Sequence, residues 1–575
     1  MKKLVTLLLA LCLLTAAIPF AAVADEAPIK LTYGTVLPEP DFTEYEIWKE
    51  LLAELNIELE FIQYDYDSLS VMLADGSFPD IMSARLEFLD SVLKSGYALN
   101  IEPYIDEYMP NMNSELYAQT NELLQMLYPY ENGEIYFMCP AVGISESKGL
   151  PDQNRGYVVR WDYYKELGCP PINSIEDYVD VLCQMVENHP YDENGNQMWA
   201  YGVNRSLRDM GGYFSSFQKD ISVNLWSTAY LYKAHTITNK LVNCYSDVEN
   251  SSYWSDMRFQ NMLYRRGVYN MDVFTMDSDE FNAMTCEGRF MGVHYVENEL
   301  YKNAIKEDPN SLAAYVVVPS DSTWLYADVN LMLGNAPAYY TFINKNSKNI
   351  EAALKLWNYM YDPDFCREWT IGKQGESWDY VDGVPTMKPE YIRKLAEFDE
   401  DFVEKRGYGK TSYYIAGYMP TSLHPDGYLI NLTFTAENAL ASQLPWQKDF
   451  AAQYGEEYWV DAQYKHMQAN SYDMSETISA SMTDIPVDMK RTLELCNNVL
   501  ETAMPELIAA ESDEEFLEIQ ERVLAELDEL GEKECFEWFN EQWNIAREKV
   551  WPIFEASCEA QGLRPEGVRN IRDFD

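Results

Sequence analysis

Trp378 stands in the loop GKQGESWDYVDGVP, Gly372 to Pro385, between glycines and with no amphipathic period around it. A flat indole so placed can offer its face to the C–H surface of a sugar ring. Carboxylates, amides and guanidinium groups serve the ring hydroxyls through paired hydrogen bonds. Residues of these types recur where strand-like segments end: Arg85 beyond Asp80-Ile81, Tyr136 in ENGEIYF, Trp226 in KDISVNLW, Glu297 closing GVHYVE, and Trp324 with Asp328. In open α/β sheets, binding groups gather at the carboxyl ends of strands.

Residues able to make and break bonds show no such grouping. The five histidines, His189, His235, His294, His424 and His466, include no pair spaced for zinc on a helix. H-E-x-x-H, the nucleophile elbow G-x-S-x-G and the dinucleotide fingerprint are missing. Gly409-Lys410-Thr411 resembles the end of a phosphate loop, but the glycine required five residues earlier is Glu404. A glycosidase needs only two suitably placed carboxylates, and among 94 Asp and Glu a pair carries no information. The residues alone leave open a binding protein with no catalytic residues, a secreted glycosidase and a peptide-binding receptor.

Composition bounds the setting. The opening MKKLVTLLLALCLLTAAIPFAAVADEAP has two lysines, an apolar run and Ala22-Val23-Ala24, the pattern of a signal peptide over residues 1–24. Leu11 stands where a lipobox before Cys12 needs a small residue, so no lipid anchor is expected. No later run reaches the ~18 apolar residues of a membrane span. The net charge of -51 repels nucleic acid and anionic surfaces. Ten cysteines, one of them Cys12, leave an odd set without C-x-x-C, which reads as small core residues rather than a disulfide framework.

The elements that must position the candidates follow from periodicity. Ile29 to Val36 alternates as a strand, Phe42 to Leu55 has helical spacing, and Ile57 to Tyr64 is a second strand, which together make a β-α-β unit of an open α/β sheet. From Tyr340, TFINKNSKNIEAALKLWNYMYDPDFCREWTIGKQGESWDYVDGVPT gives a strand end and a helix capped by Ser347 or Asn349. Ile350, Ala353, Leu354, Trp357 and Tyr361 share one face of that helix, and a second helix starts at Asp362-Pro363. The last third is helical, with a capping box at Ser512 and Glu515 and a stripe of Phe516, Ile519, Val523, Leu527 and Leu530 ending at Gly531.

The order of these blocks resembles the bacterial extracellular solute-binding proteins of family 1, in the long oligosaccharide-type branch that serves ABC importers. In that family "kks-x-x-PEaalkllny" precedes "G-x-x-G-x-x-(aromatic)-x-x-x-(D/N)-G-x-P". "G-x-x-P-D-I" matches Gly76 to Ile81, "dGkiYglP" matches the text around Tyr136, and "iRkDWLdkLG" matches Val159 to Gly168.

The resemblance implies a two-lobed periplasmic-binding-protein-like fold of type II, with mixed sheets flanked by helices and a helical C-terminal region. Lobe 1 would take residues 25–155 plus about 315–385, and lobe 2 residues 156–314 plus about 386–575. Arg160 and Asp162 would fix the crossing between lobes. Trp378 would face the ligand, with Trp226, Tyr136, Arg85, Trp324, Asp328 and Glu297 as further contacts. The partners would be an oligosaccharide, neutral first and uronate-containing second, and ABC permease subunits, with the receptor a monomer outside the cytoplasmic membrane. Some relatives bind calcium at the equivalent of Asp192, Asn194 and Asn196. Here Ala200 and Tyr201 replace their further acidic ligands, so calcium is disfavoured and no cofactor is expected.

Overall fold

The computed structural model describes residues 27–35, 41–85, 88–113, 134–138, 156–204, 231–234, 240–296, 299–322, 324–327, 339–411, most of 415–560, and 568–569. Strand β1 (Ile29–Thr35), helix α1 (Glu46–Glu54) and strand β2 (Ile57–Gln63) form the expected β-α-β unit, with β1 and β2 parallel from Ile29↔Ile57 to Thr35↔Gln63. α1 buries Ile47, Trp48, Leu51 and Leu52 at helical spacing, and β2 alternates buried Ile57 and Leu59 with exposed Glu58 and Glu60. Strand β3 (Ile81–Arg85) lies parallel to β1 on its other side.

Asp80 fixes β3 in place. Its Oδ2 accepts from Thr32 N and Oγ1, both at 2.9 Å, and its Oδ1 accepts from Ser347 Oγ at 2.6 Å. Charge-assisted bonds of this kind are the stronger class, and here they tie β1, β3 and the turn at Ser347 to one carboxylate. Gly34 is required beside them, because a Cβ there would lie 2.8 Å from Pro79 Cγ.

The second body is built from strand β4 (Val158–Arg160), helix α2 (Ile175–Asn188), strand β5 (Trp199–Gly202), helix α3 (Ser252–Arg265), and strands β6 (Phe290–Val293) and β7 (Tyr315–Val317). β5 and β6 are parallel, while β4 and β7 are antiparallel. Gly292 lets β6 approach β4: a Cβ there would meet the Val158 carbonyl oxygen at 2.6 Å and the Tyr178 hydroxyl at 2.5 Å. Strand β8 (Tyr339–Ile343) then returns antiparallel to β3, so the first sheet runs β8-β3-β1-β2.

Helix α4 (Ile350–Met360) and helix α5 (Pro363–Ile371) follow as expected, with Asp362 capping α5 through Asp364 N at 2.9 Å. The start of α4 differs. Asn349 holds the cap position without a side-chain cap, because its amide donates to Lys30 O, and Ser347 serves Asp80. Strands β9 (Trp378–Val381) and β10 (Val384–Met387) form a hairpin. Its two-residue turn, Asp382 at φ 52° and Gly383 at φ 84°, is the left-handed type that two-residue hairpins favour.

Three long helices close the chain: α6 (Val487–Ala509), α7 (Asp513–Leu530) and α8 (Glu532–Ala560). Ser512 caps α7 through Glu515 N at 3.1 Å, but the Glu515 carboxylate takes Glu511 N, one residue before the expected capping-box partner. Phe516, Val523 and Leu527 of the stripe are buried, with Ile519 and Leu530 packed beside them. Asn261 Nδ2 donates to the carbonyls of Leu507, Ile508 and Ala510, which joins the end of α6 to α3.

Two large apolar clusters divide the packing, and their segments differ from the sequence expectation. Val316 and Val318 belong with Tyr157 and the C-terminal helices rather than with the first body. Phe402, Val403, Tyr408, Tyr418 and Ile430 belong with the first body, well past residue 385. The reason is local: the turn at Arg406 hydrogen-bonds the amino end of α1 through Ile47 N, and Gly417 N donates to Met360 O at the end of α4.

Candidate functional site

The carboxyl ends of the parallel strands are where an open α/β fold places ligands, and register decides what reaches them. At the first edge Tyr339 pairs with Arg85, the last residue of β3. Met138 bridges Thr341, which pairs with Ser83, and the chain before it runs towards the amino end of β3, where Ile135 O accepts from Ile101 N. Tyr136 therefore stands on the amino side of the sheet, half-buried, with its hydroxyl donating to Glu134 Oε2 at 3.1 Å. It does not join Arg85 at the edge, because the segment pairs with β8 in a register that local sequence does not reveal.

At the second edge β5 and β6 end together, with His294 N donating to Gly202 O at 3.1 Å. The antiparallel β7 brings its own carboxyl end to the amino end of β4, where Val318 N donates to Tyr157 O at 3.0 Å. The hydroxyls of Tyr157 and Ser322 are 3.1 Å apart, and Ser322 Oγ is 2.9 Å from Ser320 Oγ. Burial pushes the Tyr157 hydroxyl up to about 12, so it stays protonated and able to donate at neutral pH.

At the opposite end of β4, Arg160 Nη1 donates to Gly288 O at 2.7 Å, just before β6 begins. Arg160 also binds the Asp162 carboxylate through Nε and Nη2 and lies 3.9 Å over the Tyr163 ring, whose plane stacks on His189. Arg160, paired with Asp162, thereby ties the end of β4 to the residues just before β6.

Between the Tyr157–Ser322 corner, the start of α2 and the flank of α3 lies a pocket of about 300 Å³. Its wall includes Tyr157, Ser174, Glu176, Arg258, Met262 and Ser322. Ser174 Oγ caps α2 through Asp177 N at 3.0 Å. Arg258 Nη1 donates to Asp513 Oδ1 at 3.2 Å, and its guanidinium covers the Phe516 ring at 4.2 Å. None of its residues is among the candidates drawn from the sequence.

Trp378 is placed differently from the expectation. It is 6% exposed and packs with Ile371, Met387, Ile392 and Leu432 in a satellite cluster. Its Nε1 donates to Gly372 O at 2.9 Å, and the Arg367 guanidinium lies 5.3 Å from its ring centroid. Arg367 is itself fully buried and grips Asp426 through both Nη atoms, along with Leu429 O at 2.9 Å. Tyr380 is the exposed aromatic of the hairpin, and its hydroxyl donates to Asp426 Oδ2 at 2.7 Å. The loop is a packed unit, and no indole face is presented for stacking.

Asp192, Asn194 and Asn196 form a self-bonded turn around Gly195 at φ 83°. Asp192 Oδ1 accepts from Asn194 N at 2.9 Å and Asn196 N at 2.7 Å, and Oδ2 accepts from Asn196 Nδ2 at 2.8 Å. Trp226, Glu297 and Asp328 lie outside the described residues. Arg85 and Trp324 are described by their backbone, Arg85 ending β3 and Trp324 pairing in parallel with Gln468.

No protein-family model matches this sequence, and no curated protein matches it. Solved structures match it over nearly its whole length. An HMO-binding, ABC-transporter-associated solute-binding protein from Bifidobacterium longum infantis is 14% identical with a TM-score of 0.56, covering 90% of this chain and 99% of its own. The Streptococcus pneumoniae ABC-transporter substrate-binding protein FusA, in complex with kestose, is 15% identical with a TM-score of 0.55, covering 90% and 100%. The alginate-binding protein AlgQ2 is 12% identical with a TM-score of 0.52, covering 90% and 98%. The chain has the fold of these solute-binding proteins.

Proposed function

We propose that this protein is an exported receptor that binds a carbohydrate, an oligosaccharide first, and delivers it to the membrane subunits of an ABC importer. The observation that carries this reading is the fold shared over 90% of the chain with the HMO-binding and kestose-bound proteins. Two packed bodies, each with a parallel strand pair ending at a common edge, suit a ligand that bridges them. Such a ligand favours the closed arrangement because only that arrangement makes both sets of contacts.

The protein itself would do no chemistry on the ligand, and energy for uptake would come from the partner ATPase. Its strong negative charge disfavours nucleic acid and polyanionic partners. Among the described residues no helix is long and apolar enough to cross a membrane, which fits a receptor working beside the membrane rather than within it. Export rests on the signal-peptide pattern of residues 1–24.

Thermal shift against kestose, milk oligosaccharides, alginate oligomers and a peptide panel tests this, with chromatography of each glycan afterwards. Stabilisation by an oligosaccharide recovered intact supports the receptor. Stabilisation by peptides alone, or release of smaller sugars, overturns it.

A further inference from the structure

The pocket at the carboxyl edge of the second body has its own chemistry. Its lining carries hydroxyls, from the Tyr157–Ser322 corner and from Ser255, and apolar groups, from Ile175 and the thioether of Met262. Glu176 and Arg258 stand on opposite elements, α2 and α3. Such a set matches a pyranose ring, which offers C–H faces to apolar groups and hydroxyls to a carboxylate and a guanidinium. A volume of about 300 Å³ admits one such ring with its bridging waters.

Charge decides between sugar classes. Glu176 and Asp177 open α2 beside the pocket. Among the described residues the one guanidinium in the wall, that of Arg258, is already shared with Asp513 and stacked over Phe516. A uronate carboxylate entering here would meet Glu176 with no uncommitted cation among the described lining residues, inside a chain of net charge -51. A neutral ring meets no such penalty, and its hydroxyls use Glu176 as an acceptor.

We infer that this pocket holds one neutral sugar unit of the bound glycan and that Glu176 selects against uronates. The inference rests on the carbohydrate-receptor reading and adds the unit's charge class and its residues. Calorimetry with a neutral oligosaccharide and an alginate oligomer, on the full-length chain, tests it. Glu176→Gln and Arg258→Ala should each weaken the neutral glycan at least tenfold. Glu176→Arg should narrow the gap between neutral glycan and alginate oligomer by at least tenfold. Glu176 is exposed, so its variants should melt with the wild type. A lowered melting point in Arg258→Ala would leave the Glu176 pair to decide. Unchanged neutral-glycan affinity and unchanged selectivity in both Glu176 variants would overturn the pocket while leaving the receptor intact. A wild-type protein that binds no glycan at all would overturn both.

Discussion

The indole Nε1 of Trp378 donates to the carbonyl oxygen of Gly372 at 2.9 Å, closing the GKQGESWDYVDGVP loop on itself. The same ring is covered by Arg367 and by the side chains of Ile371, Met387, Ile392 and Leu432. Trp378→Ala should therefore act on stability. Large-to-small changes at buried aromatics cost about 3–5 kcal/mol, and the lost indole bond leaves the Gly372 carbonyl without its partner. Equilibrium urea unfolding should show a fall of that size. Loss of a ligand shift with the unliganded transition unmoved would instead mean that Trp378 serves the ligand.

Arg367 and Asp426 lock the loop from beneath. Burial alone would push the Asp426 carboxyl up, but bonds from Arg367, Tyr380 and Tyr428 N together hold it well below the usual carboxylate range. A depressed carboxylate adds stability above its unfolded pKa of about 4 and loses it as pH falls towards the folded value. Asp426→Asn, which leaves a buried guanidinium unpaired, should cost about 3–5 kcal/mol at pH 7. The gap from wild type should shrink below pH 4. A gap independent of pH would show that the pair carries no charge-dependent stability.

Asp256 runs the opposite way. It is 1% exposed within the second core, accepts from Gln260 Nε2 at 2.8 Å, and is pushed well above the ordinary carboxyl range by burial. A raised pKa contributes stability that is complete below about pH 4 and is lost as pH climbs towards the folded value. Asp256→Asn removes that loss. Its melting point relative to wild type should rise steadily between pH 4 and pH 8, and a constant offset would contradict the assignment.

Seven cysteines are free among the described residues, with Cys244, Cys366, Cys496 and Cys535 buried. Burial pushes the Cys244 thiol up to about 11 and the Cys366 thiol to about 12, which suppresses the reactive thiolate. Thiol titration at pH 8 should leave these four unmodified in the native protein and modify them in denaturant. A reductant should not move the melting point. A fall on reduction would reveal a structural disulfide.

The Asp192 turn predicts indifference to chelators. Three hydrogen bonds from its own loop occupy the Asp192 oxygens, so its shape rests on protein donors. Excess EGTA should leave the melting point within error. A drop of several degrees, restored by calcium, would assign the loop as a metal site.

Much of this architecture could be read from the sequence because its causes are local. The alternation of IELEFIQ, the spacing of Trp48 and Leu51, Asp362 before Pro363, and Ser512 before α7 each act within a few residues. The candidate site was less legible because its causes are not local. Glycines around Trp378 signal a loop, but Leu432, which packs against the indole, is 54 positions away. Tyr136 looked like a cleft aromatic until its pairing with β8 placed it on the amino side. Tyr157, Glu176, Arg258 and Ser322 meet only through the crossing of β4, α2, α3 and the segment after β7.

The central claim is that this chain holds a glycan without changing it. Thermal unfolding with a neutral oligosaccharide at about 100 times its dissociation constant is the most direct test. A ligand specific to the native state then adds about 2.7 kcal/mol, which for a chain of this length should raise the melting point by roughly 2 °C. The account predicts that rise together with quantitative recovery of the intact oligosaccharide. No rise with any glycan, or a glycan recovered as shorter sugars, would contradict it.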